Sequence, residues 1–91
     1  MTERARAYAR VAGSVQGVGF RYLAAKRARS LGLAGWIRNE LDGSVSAAFE
    51  GPRERVQSML DWCRRGPSGA TVSNLQVSWE EPTGAAKFEI R

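Results

Sequence analysis

The chain has 91 residues, enough for one domain with a modest hydrophobic core and too few for two. Its 43% hydrophobic and 25% charged residues are typical of a soluble globular chain, so we predict a single domain over residues 1–91. The formal net charge is +5, with twelve arginines and two lysines. This charge favours an anionic partner but does not distinguish RNA, a membrane surface or a small phosphorylated metabolite.

Composition also excludes several kinds of site. The chain has no histidine and one cysteine, Cys63, which rules out an intrachain disulfide, a cysteine zinc site and histidine catalysis. No apolar run approaches the roughly 18 residues of a membrane span, and no apolar segment follows the charged N-terminal residues. We therefore expect a cytoplasmic protein.

The hydrophobic pattern predicts a strand and then a helix in the first third of the chain. From Ala5 to Gly13, small apolar residues alternate with Tyr8 and Arg10, as in a half-buried strand. A glycine-rich loop follows. Apolar residues at helical spacing then predict a helix from Arg21 to Leu31, which Gly32 ends.

The rest of the chain repeats this alternation. In order, we predict a second strand at 36–39, a turn at Asp42-Gly43, a third strand at 45–49, a helix between Pro52 and Gly66-Pro67, a fourth strand at 72–79 and a short fifth strand around Phe88 and Ile90. The order β-α-β-β-α-β is typical of the α+β class with a ferredoxin-like, split βαβ arrangement. In that arrangement two helices lie on one face of an antiparallel sheet.

The loop between the first strand and the first helix is the clearest functional signal. Its residues are Val15, Gln16, Gly17, Val18, Gly19 and Phe20, with Arg21 directly after them. Glycine lets several backbone N–H groups converge on one ligand, the helix start adds unpaired N–H groups, and Arg21 adds a forked cation suited to phosphate. A plain strand-to-helix turn would use the same glycines, so the loop by itself leaves both interpretations open.

Asn39 is a second candidate because of the predicted topology. In a split βαβ unit the first two strands run parallel with the third between them, so both end at one edge of the sheet. The gap between those ends is about 10 Å, which a phosphate, the side chain of Arg21 and the amide of Asn39 could fill. The amide could then orient a water molecule. Asn39 could equally be a turn residue at a strand end.

Two stretches of the chain resemble the signature motifs of the acylphosphatases. The matching parts are residues 11–21, residues 31–39 and Asp42-Gly43, followed by Gly51, residues 62–67 and Phe88. The resemblance therefore covers essentially the whole chain.

The resemblance implies a hydrolase that splits the carboxyl–phosphate bond of acyl phosphates into a carboxylate and inorganic phosphate, without metal or cofactor. By position, Arg21 matches the family's phosphate-binding arginine and Asn39 its water-orienting asparagine. Residues 16–20 match its phosphate loop, to which we add Val15. A small-molecule acyl phosphate is the expected partner, and a monomer without membrane association is the expected state.

Two alternatives keep the fold without the catalysis. An RNA-binding module of this topology carries a glycine–aromatic signature on a central strand, with exposed aromatic residues on the sheet. Residues 17–20 resemble that signature but precede a helix, and Tyr8 could stack on a base. The other alternative is a non-catalytic or regulatory domain, against which the presence of both Arg21 and Asn39 argues.

The three tryptophans and the single cysteine are interpreted as parts of the core. Trp36, Trp62 and Trp79 each fit an apolar strand or helix face, which favours core or near-core positions. Cys63 lies on the apolar face of the second predicted helix. That position favours a packed thiol over a nucleophile.

Overall fold

The computed structural model describes residues 3–91, which form five strands and two helices. The elements are β1 (Arg4–Ser14), α1 (Phe20–Ser30), β2 (Ala34–Asn39), β3 (Val45–Pro52), α2 (Arg53–Arg65), β4 (Thr71–Glu80) and β5 (Phe88–Ile90). This order confirms the predicted split βαβ arrangement and the short fifth strand. Within the described residues, neither helix is long and apolar enough to cross a membrane.

The strands form one sheet in the order β4-β1-β3-β2-β5. The pairs β1–β3, β1–β4 and β2–β3 are antiparallel, whereas β2 and β5 are parallel. The sheet is therefore antiparallel over the four main strands, and β5 makes it mixed by adding one parallel pair at this edge. Residues 81–87 cross from one edge of the sheet to the other, a span of about 19 Å that seven extended residues can cover. The chain then reverses its direction and forms β5, which runs parallel to β2.

The core lies between the two helices and one face of the sheet. α1 buries Phe20 at its start and then Ala24, Ala25 and Ala28, and α2 buries Val56, Met59, Leu60 and Cys63 at the predicted helical spacing. Burial raises the pKa of the Cys63 thiol to about 12, so the thiol is protonated at neutral pH. This confirms Cys63 as a core residue.

The three tryptophans differ in how they are packed. Trp62 is half-buried and packs against Phe20, with ring centroids 5.6 Å apart. Trp36 is half-buried on the outer face of the sheet, because its neighbour Ile37 points into the core. Trp79 is 40% exposed, so the expected core position is wrong there. The Arg53 guanidinium lies 4.1 Å from the centroid of the Trp79 ring and covers it instead.

A buried carboxylate fastens the crossing segment to the outer face of the sheet. The side chain of Glu50 accepts hydrogen bonds from the N–H groups of Thr83 (3.0 Å), Gly84 (2.7 Å) and Ala85 (3.2 Å), from the Thr83 hydroxyl (3.0 Å) and from the Arg6 guanidinium (3.0 Å). Burial by itself raises the pKa of Glu50, but these hydrogen bonds outweigh it and lower the pKa to about 2. Glu50 is therefore an ionised anchor for residues 83–85.

Replacing Glu50 by glutamine is expected to lower the free energy of unfolding at pH 7 by about 2 kcal/mol, because the charge-assisted bonds to residues 83–85 are lost. The folded pKa lies below the ordinary value of 4.5, so this stabilisation is present above that value and disappears as the pH falls toward 2. Urea denaturation at several pH values measures both effects.

Glu81→Gln is the matched control, since Glu81 is an exposed carboxylate on the same segment. The control is expected to stay within about 0.5 kcal/mol of the parent, as is usual for surface changes. Equal stability of Glu50→Gln and the parent at pH 7 would contradict the anchoring role.

Candidate active site

The ends of β1 and β2 lie at the same edge of the sheet, as predicted. β3 separates them, since Val11 pairs with Val45 and Val45 pairs with Asn39. Two strand spacings place these outer positions about 10 Å apart. Asn39 lies on the helix-facing side of β2, two residues beyond the buried Ile37, and is exposed at the edge.

Residues 15–19 turn the chain from β1 into α1. Gly17 and Gly19 have φ angles of 78° and 76°, in the left-handed region that side chains other than glycine rarely adopt. Among the described residues no side chain caps the start of α1, and the first turn of the helix carries no acidic residue. The N–H groups and partial positive charge of the helix start are therefore not neutralised by residues 3–91.

The apolar side chains of this loop anchor it to the core. Val15 and Phe20 are each 1% exposed, and Val18 packs partly against the same core. Because these side chains point inward, the loop can offer a ligand its main-chain groups. Phe20 is a buried helix residue, so the glycine–aromatic run at 17–20 does not lie on a strand, as an RNA-binding signature would.

The side chain of Gln16 joins the loop to the turn between β2 and β3. Its Nε2 donates to the main-chain oxygens of Glu40 (2.7 Å) and Ser44 (2.9 Å). Glu40 directly follows Asn39, so this pair of bonds sets the loop beside the end of β2. The sequence predicts Gln16 as part of a phosphate loop, but no local pattern in it predicts these two hydrogen bonds.

The two carboxylates that follow Asn39 in the chain, Glu40 and Asp42, are held in their ionised form. Hydrogen bonds from the hydroxyl and N–H of Ser44, together with Arg10, hold the pKa of Asp42 well below its usual range. The Ser46 hydroxyl and Arg38 lower the pKa of Glu40 in the same way. Such carboxylates are weak proton acceptors at neutral pH.

Arg21 is oriented by the end of the described chain. Its Nη1 donates to the main-chain oxygen of Arg91 at 2.9 Å, and the N–H of Arg91 donates to the oxygen of Ile37 at 2.7 Å. These bonds hold the half-buried Arg21 against the β2–β5 edge. Among residues 3–91 no aspartate or glutamate side chain lies within ion-pairing distance of Arg21, and the N–H groups that it does not donate to Arg91 remain available to an anion. The part played by Arg91 was not expected from the sequence.

The predicted site residues thus lie at the same end of the sheet, but they are not all in contact with one another. The loop and Arg21 are continuous, and Gln16 bonds next to Asn39. Within the described residues no hydrogen bond joins the Asn39 side chain to Arg21 or to the loop, which leaves its amide open to solvent. In the same part of the chain, no group of three or more acidic or cysteine side chains is placed to hold a metal ion.

Comparison with known proteins identifies the family to which this site belongs. The acylphosphatase family model matches residues 7–90. The acylphosphatase of Thermococcus kodakarensis is 47% identical over 88 residues, which cover 97% of each chain. That of a Nostoc species is 50% identical over 86 residues, covering 94% of this chain and 85% of the relative.

Solved structures agree with the sequence matches. The crystal structure of the acylphosphatase from Bacillus subtilis matches with a TM-score of 0.92 and 34% identity, covering 96% of this chain and 98% of the other. The chain belongs to the acylphosphatase family. It is a hydrolase of that class, which confirms the resemblance seen in the sequence.

Replacing Gln16 by alanine is expected to reduce kcat/KM for an acyl phosphate about tenfold, because the loop loses its brace to the β2–β3 turn and is no longer held in one geometry. The hydrolysis rate of benzoyl phosphate measures the effect. Gln76→Ala, at an exposed glutamine of β4, is the matched control and should leave the rate unchanged. A Gln16→Ala enzyme with the parent rate would show that the brace is not needed.

Proposed function

We propose that the chain hydrolyses acyl phosphates by in-line attack of water, with the phosphoryl group bound by the loop of residues 15–20 and by Arg21, and with Asn39 orienting the water. The observation that carries this proposal is the position of Arg21. It is a cation without an aspartate or glutamate partner among the described residues, held beside an uncapped helix start at the sheet edge where Asn39 is exposed.

Phosphate binding is assigned to the main chain of the loop and to the guanidinium. Gly17 and Gly19 have the backbone conformations that let neighbouring N–H groups converge, and the helix start adds its own. Arg21 donates one of its hydrogen bonds to Arg91, which orients the planar fork while leaving other N–H groups for phosphoryl oxygens. Charge on those oxygens is then stabilised without any rearrangement of the protein.

Water orientation is assigned to Asn39. Its amide offers both an acceptor and donors, so it can hold a water molecule in one orientation. Its place across β3 from the end of β1 puts it about two strand spacings from that strand, a gap suited to a phosphoryl group and an attacking water. The Asp42-Gly43 turn is made independently, through Asp42 and Ser44, so Asn39 is not required for it.

The proposed reaction needs no side-chain base. The water oxygen forms a bond to phosphorus while the bond from phosphorus to the acyl oxygen breaks, and the carboxylate leaves with the electron pair. One proton of the water stays on the new phosphate and the other passes to a phosphoryl oxygen. Acyl phosphates have good leaving groups and loose transition states, so positioning and charge stabilisation can suffice. The lowered pKa values of Glu40 and Asp42 fit a mechanism in which neither accepts the proton.

We further propose that the enzyme works as a monomer in the cytoplasm on a small-molecule acyl phosphate, without metal or cofactor. All the residues assigned to the site come from one chain. Light scattering measures the oligomeric state, and hydrolysis in excess chelator tests the metal-free mechanism.

Arg21→Ala is expected to reduce kcat/KM for benzoyl phosphate by about a thousandfold and to abolish inhibition by inorganic phosphate, since it removes charge from both the ground and the transition state. Arg29→Ala is the matched control. Arg29 also lies on α1 and also donates to a main-chain oxygen near the β2–β5 edge, that of Phe88 at 2.9 Å, but it lies beyond the loop. Equal losses in the two variants would assign the effect of Arg21 to packing.

Asn39→Ala is expected to lower kcat about a hundredfold while inhibition by inorganic phosphate stays within about twofold, because water positioning matters only in the reaction step. Steady-state kinetics with phosphate as inhibitor separates the two quantities. Asn74→Ala, at an exposed asparagine of β4, serves as control. Normal turnover by Asn39→Ala would remove Asn39 from the mechanism.

A further inference from the structure

The positive charge of the protein is concentrated on its helices. α1 carries four basic and no acidic residues, and α2 carries four basic and two acidic residues, so the two helices together have a formal charge of +6. The remainder of the chain has a formal charge of −1. The helical layer is therefore the face that attracts anions.

Ion pairing follows the same division. On the strands and at the sheet edges, arginines pair with carboxylates: Arg4 and Arg6 with Glu50, Arg6 also with Glu80, Arg10 with Asp42, Arg38 with Glu40 and Arg91 with Glu89. On the helices, Lys26, Arg27, Arg64 and Arg65 have no carboxylate within 4.0 Å among the described residues. No ion pair with residues 3–91 neutralises these four exposed cations.

An apolar groove lies beside two of these cations. It has a volume of about 350 Å³ and is lined by Leu23, Lys26, Arg27 and Ser30 of α1 and by Trp62 and Pro67. Leu23 is 36% exposed although it is a large hydrophobic residue. The groove thus combines an apolar surface with two unpaired positive charges, in the size range of small-molecule sites.

We propose that this groove binds an amphipathic carboxylic acid, a single apolar chain or ring system that carries one carboxylate. The apolar part lies on Leu23, Trp62 and Pro67, and the carboxylate lies toward Lys26 and Arg27. A concave groove between helices accepts one inserted chain, whereas a lipid bilayer needs protruding apolar side chains. The free cations select a carboxylate over a neutral or cationic head group.

The groove adjoins the phosphate loop but is separate from it. Trp62 packs against Phe20, and the N–H of Leu23 donates to the oxygen of Gly19 at 3.0 Å, so the groove begins one helical turn after the loop. None of its lining residues belongs to the loop, and neither Arg21 nor Asn39 lines it. Binding in the groove can therefore be tested independently of hydrolysis.

Decanoate, kept below its micelle-forming concentration, is the probe. Titration calorimetry is expected to give a submillimolar Kd, and decanol should bind at least about tenfold more weakly because it lacks the charge. Amide chemical shifts should change at Leu23 and Ser30, and the indole N–H signal of Trp62 should shift with them. Equal affinity for decanol, shifts confined to another surface, or binding only to anionic lipid vesicles would each overturn the proposal.

Two double variants separate the groove from general electrostatics. Lys26→Gln with Arg27→Gln should weaken decanoate binding about tenfold, whereas Arg64→Gln with Arg65→Gln should change it less than about twofold. Both remove two positive charges from the helical layer, but only the first pair lines the groove. Equal weakening would contradict a specific site. Arg21→Ala is expected to keep decanoate binding, so a failure of the proposed hydrolysis would leave this test intact.

Discussion

The site depends on a carboxylate that lies on the opposite face of the sheet. Glu50 is fully buried and holds residues 83–85 across the outer face through main-chain N–H groups. That crossing delivers β5 to the far edge, where it pairs with β2. The residue after β5, Arg91, then accepts the hydrogen bond from Arg21. Arg21, which we propose binds the phosphoryl group, is thus oriented through a chain of contacts that begins at a buried negative charge.

Main-chain groups and two bracing contacts define the site more than catalytic side chains do. Gln16 ties the loop to the β2–β3 turn, and Arg91 ties Arg21 to the sheet edge. Both braces use main-chain oxygens as acceptors, so neither occupies an aspartate or glutamate side chain, and Arg21 keeps further N–H groups for an anion. Such preorganisation suits phosphoryl transfer, in which charge and position dominate over proton transfer to a base.

The two faces of the sheet differ in how far their cations are paired with carboxylates. On the strand side, ion pairs neutralise the arginines and fasten the crossing segment and the turns. On the helix side, Lys26, Arg27, Arg64 and Arg65 have no carboxylate within 4.0 Å in the part of the chain that the structure describes. A field of this kind raises the local concentration of anions near the loop, which assists capture of a phosphorylated substrate.

The sequence by itself determined the elements and the place of the candidate residues. Alternating and helical spacing, the glycines at 17 and 19 and the Asp42-Gly43 turn are local signals. The parallel direction of the first two strands in a split βαβ unit then placed Asn39 at the same end of the sheet as the loop. The tertiary structure alone decided the parallel β5, the exposure of Trp79, the burial of Glu50 and the partners of Gln16 and Arg21. Alternation along β3 puts Glu50 on the outward face, and only the crossing segment buries it. These outcomes rest on contacts between residues far apart in the chain, which no local pattern encodes.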